Sequence, residues 1–172
     1  MLLQAFMHSL RPLSQSDLPA LLTFERHNRA YFEQWVPPRP AWFFNDPSQF
    51  AHHMATLFEA QKAGSFLMFI TSDRHNKILG RLNITNEETP SLGYRVAQAH
   101  AGKGVASHMV QHACLIAKAS IKAARLTAQA AANNPASQHV LKNNGFVLME
   151  NDTQPTTLNG QTIWLERFDK RL

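Results

Sequence analysis

The chain has 172 residues, 44% hydrophobic and 17% charged, which fits one globular domain over residues 1–172 and excludes a disordered or fibrous protein. Lys and Arg number 17 against 12 Asp and Glu, a net charge of +5 spread without a basic block; this predicts a solvated basic surface, with no direct nucleic-acid binding expected. Cys114, the only cysteine, excludes an internal disulfide or a cysteine zinc cage and fits a reducing cytoplasm, and no apolar run approaches the roughly 18 residues of a membrane span, so a soluble, non-exported protein is expected.

In chain order, Phe6 to Leu13 reads as a first strand, closed by Ser14, Ser16 and Asp17. Ser16 or Asp17 can cap the helix that follows, which carries Leu18, Leu21, Leu22 and Phe24 on its apolar side. The pattern continues through Asn28, Tyr31, Phe32 and Trp35 and stops at Pro37, Pro38 and Pro40. Trp42, Phe43 and Phe44 fall in a loop, where they either wall a pocket or cap the core. Asn45 or Asp46 caps the next helix, with Pro47 in its first turn, Phe50, Met54, Leu57 and Phe58 at helical spacing, and Gly64 as its stop. Phe66 to Thr71 and Ile78 to Thr85 are β-rich runs joined as a hairpin.

Leu92 to Val96 is a short strand that gives way to a loop with Gly102, Lys103 and Gly104, and an amphipathic helix begins at Val105. Strand, glycine turn and helix together make a phosphate grip, because the first N–H groups of a helix lack partners and glycine lets an anion approach them. The loop is neither a Walker loop nor a dinucleotide fingerprint, since the spacing of both is missing. Arg125 to Ala132 favours helix by propensity, and Pro135 to Lys142 is helical and stops at Asn144-Gly145. Phe146 to Met149 starts another strand, and Asn159-Gly160 turns the chain into a last one, Thr162 to Phe168.

The G-Y-x-V and A-G-K-G-x-A segments, with Asn134-Pro135-Ala136-Ser137 followed by Asn144-Gly145-Phe146, resemble the GNAT superfamily of acetyl-CoA-dependent N-acetyltransferases. The chain looks most like the branch of RimJ and RimL ribosomal-protein N-terminal acetyltransferases; L-R-P-L-S-Q-S-D-L near the N-terminus and Ile78-Leu79-Gly80 also match. The resemblance implies an α/β fold with one mixed, mostly antiparallel twisted sheet of about seven strands, four main helices and a splay between strands four and five. It also requires a strand at Arg125 to Ala132, against that segment's own propensity.

The same resemblance implies site residues. Backbone groups of Tyr94, Arg95 and Val96 would pair with the pantetheine arm, and amides of Gly102, Lys103, Gly104, Val105 and Ala106 would hold the pyrophosphate, with Ser107 adding its hydroxyl. Asn134 and Ser137 match residues near the cofactor. Ser137 is the candidate proton donor to the departing thiolate, alongside a structural role at a helix start, and the Val96 amide is the candidate to polarise the acetyl carbonyl. Lys103 is either a charge on the phosphates or solvated surface.

The chain departs from the family pattern at Ala101, where Arg or Gln begins the loop, and at Ser91 and Thr156 or Thr157, where relatives carry acids. Glu33, Glu87, Glu88, His100 and His108 remain as base candidates, each also readable as surface, and the nine histidines are read as giving no metal site. Asn28, Tyr31, Trp35 and Trp42 are the candidate acceptor residues, in a pocket between the first two helices and the last hairpin. The function implied is acetyl transfer by direct attack of a primary amine, most simply the α-amine of a protein or peptide. A small-molecule amine acetyltransferase and a CoA-binding module without catalysis are the alternatives, and the protein is expected to be cytoplasmic and a monomer or homodimer.

Overall fold

Alternating β-branched and aromatic residues set the frame of the computed structural model, which describes residues 10–172. Strands β2 (Phe66–Ser72) and β3 (Ile78–Thr85) form the expected antiparallel hairpin, and β4 (Ser91–Val96) follows antiparallel to β3. With β1 (Arg11–Pro12), β5 (Arg125–Ala131), β6 (Val147–Leu158) and β7 (Gln161–Arg171) they make one seven-stranded sheet in the order β1-β2-β3-β4-β5-β7-β6. Only the β4–β5 neighbours are parallel, and the sheet is mixed and mostly antiparallel as the family resemblance implies.

Among the described residues, four α-helices of about two and a half to four and a half turns and two single-turn α-helices cover the two faces. They are α1 (Leu18–His27), α2 (Arg29–Phe32), α3 (Trp42–Asn45), α4 (Pro47–Lys62), α5 (Val105–Ile116) and α6 (Pro135–Asn143). On one face Met109 and Val110 of α5 and Leu141 of α6 pack on Leu82, Leu126 and Phe168. On the other, Leu21 and Phe24 of α1 and Met54 of α4 pack on Met68 and Ile70. Each fully buried side chain of this size contributes about 1.5–3 kcal/mol relative to exposure.

Arg125–Ala131 is a strand despite its alanines, with Leu126, Ala128 and Ala130 buried against the α5 face and hydrogen-bonded between β4 and β7. Small side chains suit a central strand that lies under two helices, and packing overrides propensity there. Asp46 caps α4, its Oδ1 accepting from the N–H groups of Ser48 and Gln49 at 3.0 Å each.

Several expectations change. Residues 6–9 of the first expected strand lie outside the described residues, and the described part is Arg11–Pro12. The carboxylate of Asp17 does not cap α1; it accepts from Arg11 at 2.7 and 2.8 Å and from Ser14. The helix expected to run on past Asn28 breaks there, because the Asn28 side chain donates to Phe24 O (2.9 Å) and accepts from Gln98 N (2.9 Å). Trp42 to Phe44 form the turn of helix α3 rather than a loop, driven by burial of Phe43 and Phe44. Strand β6 runs on to Leu158, past an irregular stretch after Leu148 where Asn151 has φ 63°.

Candidate active site

The site is built on a gap in the sheet. Strands β4 and β5 pair only at Ser91 with Thr127 and Leu92 with Ala128, and then diverge. Thr127 N–H donates to Pro90 O (2.9 Å) on the β5 side, whereas Ala97 N–H donates to Leu79 O (2.8 Å) on the β3 side. Strand alternation between these two fixed points turns the backbone groups of Tyr94 and Val96 into the gap and those of Arg95 toward β3. Of the three residues expected to offer backbone to a pantetheine arm, Arg95 is therefore the exception. A cleft of about 1150 Å³ runs through this gap from the glycine loop to the β6–β7 hairpin.

At one end, Gly102 (φ 71°) and Gly104 (φ 80°) line the cleft in left-handed conformation, and a Cβ at either would point into open space. The first helical bond of α5 is His108 N–H to Gly104 O (3.0 Å), so the amides of Val105, Ala106 and Ser107 have no partner within the helix and sit at its positive end. All three residues line the cleft. This cradle of small residues and unpaired amides fits a pyrophosphate group. Lys103 is not among the lining residues, and its own N–H donates to His100 O at 3.4 Å, so its amide is turned away from the expected role. Ser107 Oγ accepts from Asn144 Nδ2 (3.0 Å) and keeps its proton to donate.

Across the gap, Asn134 caps α6, its Oδ1 accepting from Ser137 N–H at 3.1 Å. That capping holds Ser137 Oγ at 2.9 Å from the hydroxyl of Tyr94, whose O–H also reaches Ser137 O at 3.3 Å. Burial pushes the Tyr94 phenol above its ordinary value, against the opposing effect of Ser137. Tyr94 and Ser137 thus form a linked hydroxyl pair where β4 leaves β5.

At the other end, Tyr31 and Trp35 line one wall, and Gln154 and Thr156 of β6 the other. Asn28 and Trp42 are not lining residues. Asn28 is occupied in pinning Gln98, and Trp42 packs against Phe43 and His53, whose ring centres lie 6.1 and 5.4 Å away. Beneath this end lies a buried carboxylate, Glu25 of α1, that meets Arg81 Nε at 3.1 Å, Arg39 Nη2 at 3.1 Å and Arg95 Nη1 at 3.0 Å. Burial raises the Glu25 carboxyl, but Arg81, Arg39 and Arg95 together outweigh it and hold it below the usual range.

A GNAT acetyltransferase domain model matches residues 9–147. The chain belongs to the GNAT acetyltransferase family. It is an acetyl-CoA-dependent N-acetyltransferase. The fold matches ribosomal-protein-S5-alanine acetyltransferase from Vibrio fischeri, with a TM-score of 0.86 at 22% identity over 94% of this chain and 91% of that one. It also matches RimL, the ribosomal L7/L12 alpha-N-protein acetyltransferase, in complex with coenzyme A (TM-score 0.85, 20% identity, 97% of both chains). Spermidine N-acetyltransferase from Vibrio cholerae, in complex with CoA and spermine, matches with a TM-score of 0.77 at 17% identity over 95% and 94%. A comparison with curated protein sequences finds no match.

Among the base candidates of this acetyltransferase, Glu87, Glu88 and His100 line the cleft, the two glutamates exposed at its lip. Glu33 is tied to Arg29 at 2.7 Å and is not a lining residue. His108 is not one either; it stands four residues before His112 on α5, their rings 4.3 Å apart, a spacing that reading the sequence overlooked. Among the described residues no three potential metal ligands come together. The sequence reading also missed Glu25, Arg39 and Arg81. The available signal was Glu25 itself, four residues after Leu21 and seven after Leu18 on the apolar stripe of α1. An acid there needs a buried cation.

Proposed function

We propose that this acetyltransferase acts on the α-amino group of a protein or peptide in the cytoplasm, by direct attack without an acyl-enzyme. The observation that carries the reading is the composition of the acceptor end. Arginines lie beneath it, and the carboxylates that line the cleft, Glu87 and Glu88, sit exposed at its lip. An α-amine, with a pKa near ~8, is partly neutral at pH 7 and needs little help to lose its proton, whereas a lysine at ~10.4 needs a strong base nearby. A polyamine would need carboxylates to hold its several charges, and the arginines oppose it.

Acetyl-CoA, when bound, supplies the acetyl thioester. The amides of Gly102, Gly104, Val105 and Ala106 donate to its phosphates, and Lys103 adds charge from outside the cradle. Tyr94 and Val96 offer backbone groups to the pantetheine arm, and the Val96 N–H is the oxyanion donor. Ser137 Oγ gives its proton to the departing sulfur and is resupplied by Tyr94, 2.9 Å away, which regains its own proton from solvent in the cleft. Asn134 sets that geometry through its cap on Ser137. Holding amine and thioester together removes the entropic part of the barrier, so a weak base acting through water suffices.

Thiol release from acetyl-CoA tests the reading with three acceptors: a peptide with a free N-terminus, an N-blocked peptide containing lysine, and spermidine. Turnover with the first and neither of the others is expected. Preferential turnover of spermidine or of the lysine would overturn it.

A further inference from the structure

Buried charge on the acceptor side of the sheet does not balance. Glu25 is 1% exposed and is shared by three guanidinium groups, those of Arg39, Arg81 and Arg95. Among the described residues no other carboxylate pairs with any of the three. Glu33 acts on Arg95 electrostatically but is itself held by Arg29, so that pair leaves the balance unchanged, and Asp152 is held by Arg167 at 3.2 Å. Two positive charges are therefore left over in a region where an unmatched ion is costly. Arg39 is turned over the Phe43 ring (4.4 Å), and its Nε is buried without a hydrogen-bond partner.

The other two cations face the cleft. Arg81 of β3 and Arg95 of β4 stand directly opposite each other in the strand register, on the sheet face that carries α1. Both line the cleft, with side chains 17% and 18% exposed. Burial pulls the Arg81 guanidinium down to about 9, so it remains a cation at neutral pH. A guanidinium offers five N–H donors in a planar fork, and Glu25 engages one nitrogen of each. Arg95 directly precedes Val96, the oxyanion donor in the reading above, and their Cα atoms are about 3.8 Å apart across a trans peptide. A carboxylate a few bonds from the reacting amine lies within reach of the Arg95 guanidinium donors.

We propose that the acceptor carries a carboxylate close to its reacting amine, and that Arg81 and Arg95 receive it. Glu25 orients the two guanidinium forks and neutralises one charge, and the acceptor neutralises part of the rest. Glu87 and Glu88, exposed at the lip, leave the floor cationic. The inference rests on the α-amine reading above and narrows it to amines with an adjacent anionic group. The carboxylate can belong to an acidic residue near a peptide N-terminus or to a free amino acid.

Calorimetric binding to the CoA-bound protein separates these sources and tests the proposal. One pair of probes is a free-N-terminus peptide with Asp or Asn at its second position; the other is free alanine and its α-carboxamide, alaninamide. The acid is expected to bind at least tenfold more tightly than its amide in one pair, and that pair identifies the source. In Arg95→Gln and Arg81→Gln the ratio is expected to fall below threefold, and in Arg95→Lys to be largely retained. Equal binding of acid and amide in both pairs overturns the proposal, as does a ratio unchanged in both glutamine variants. The wild-type ratio decides alone if a variant fails to fold. Because binding is read without turnover, acetylation found only on a lysine amine would sink the α-amine reading and leave the acid-to-amide ratio to be judged by itself.

Discussion

The two ends of the cleft are made from different materials. The glycine-loop end consists of backbone: left-handed Gly102 and Gly104, the unpaired amides that open α5, and the strand edge at Tyr94 and Val96. The acceptor end consists of side chains brought from four separate segments, with Glu25, Arg39, Arg81 and Arg95 meeting within 3.1 Å contacts. A backbone cradle accepts any ligand with the right phosphates and tolerates side-chain change. A side-chain cluster sets specificity and fails when one member is lost.

The sharpest way to break this comparison is Glu25→Gln. It leaves three buried guanidinium groups with no carboxylate, and stability should fall by about 3–5 kcal/mol, read as a loss of denaturation midpoint. A fall below about 1 kcal/mol would mean that the cluster is solvated and the contrast false. The same carboxylate fixes an acid limit. Its folded value lies below its unfolded one, so its contribution is fully present above roughly pH 4.3 and is lost as pH falls through the folded value. Asp17, held low chiefly by Arg11, acts in the same direction. Glu25→Gln should flatten the acid side of a stability-against-pH curve.

Away from the acceptor end, the cleft should respond in catalysis and binding rather than in stability. Ser137→Ala is expected to lower kcat by about a hundredfold with little change in the KM for acetyl-CoA, as loss of a proton donor would. An unchanged kcat would leave Ser137 a purely structural hydroxyl. Gly104→Val forces a β-branched residue to φ 80° and should raise the acetyl-CoA Kd about tenfold, or 1.4 kcal/mol, in a protein that still folds. Unchanged affinity would remove the loop from the cofactor site. Smallest is Tyr94→Phe, about threefold in kcat, because Ser137 can take a proton from water instead.

This difference in material also decides what could be read from the residues. The strand and glycine turn around Gly102, and the asparagine before Pro135, are each short runs of neighbouring residues whose local pattern carries the chemistry. The strand at Arg125–Ala131 was the exception, legible only through family order, because alanines report nothing about the two helices above them. The acceptor end was hidden because Glu25 and Arg95 are 70 residues apart and pair only after the sheet forms. Trp42 misled for a related reason: aromatic clusters look alike whether they wall a cleft or, as here, pack on His53 beside the core.

The gap between β4 and β5 has a mechanical consequence. Among the described residues, two residue pairs form the only ladder that stitches the four-stranded part of the sheet to the three-stranded part. That seam is a place where the sheet can part into two portions at small loss of hydrogen bonds. On the proposed placement of the pantetheine arm, the cofactor adds rungs that the polypeptide lacks, and its loading should fasten the two halves into one unfolding unit. Amide exchange in β4 and β5 should therefore slow together on saturation with CoA, by more than in the outer strands β1 and β6.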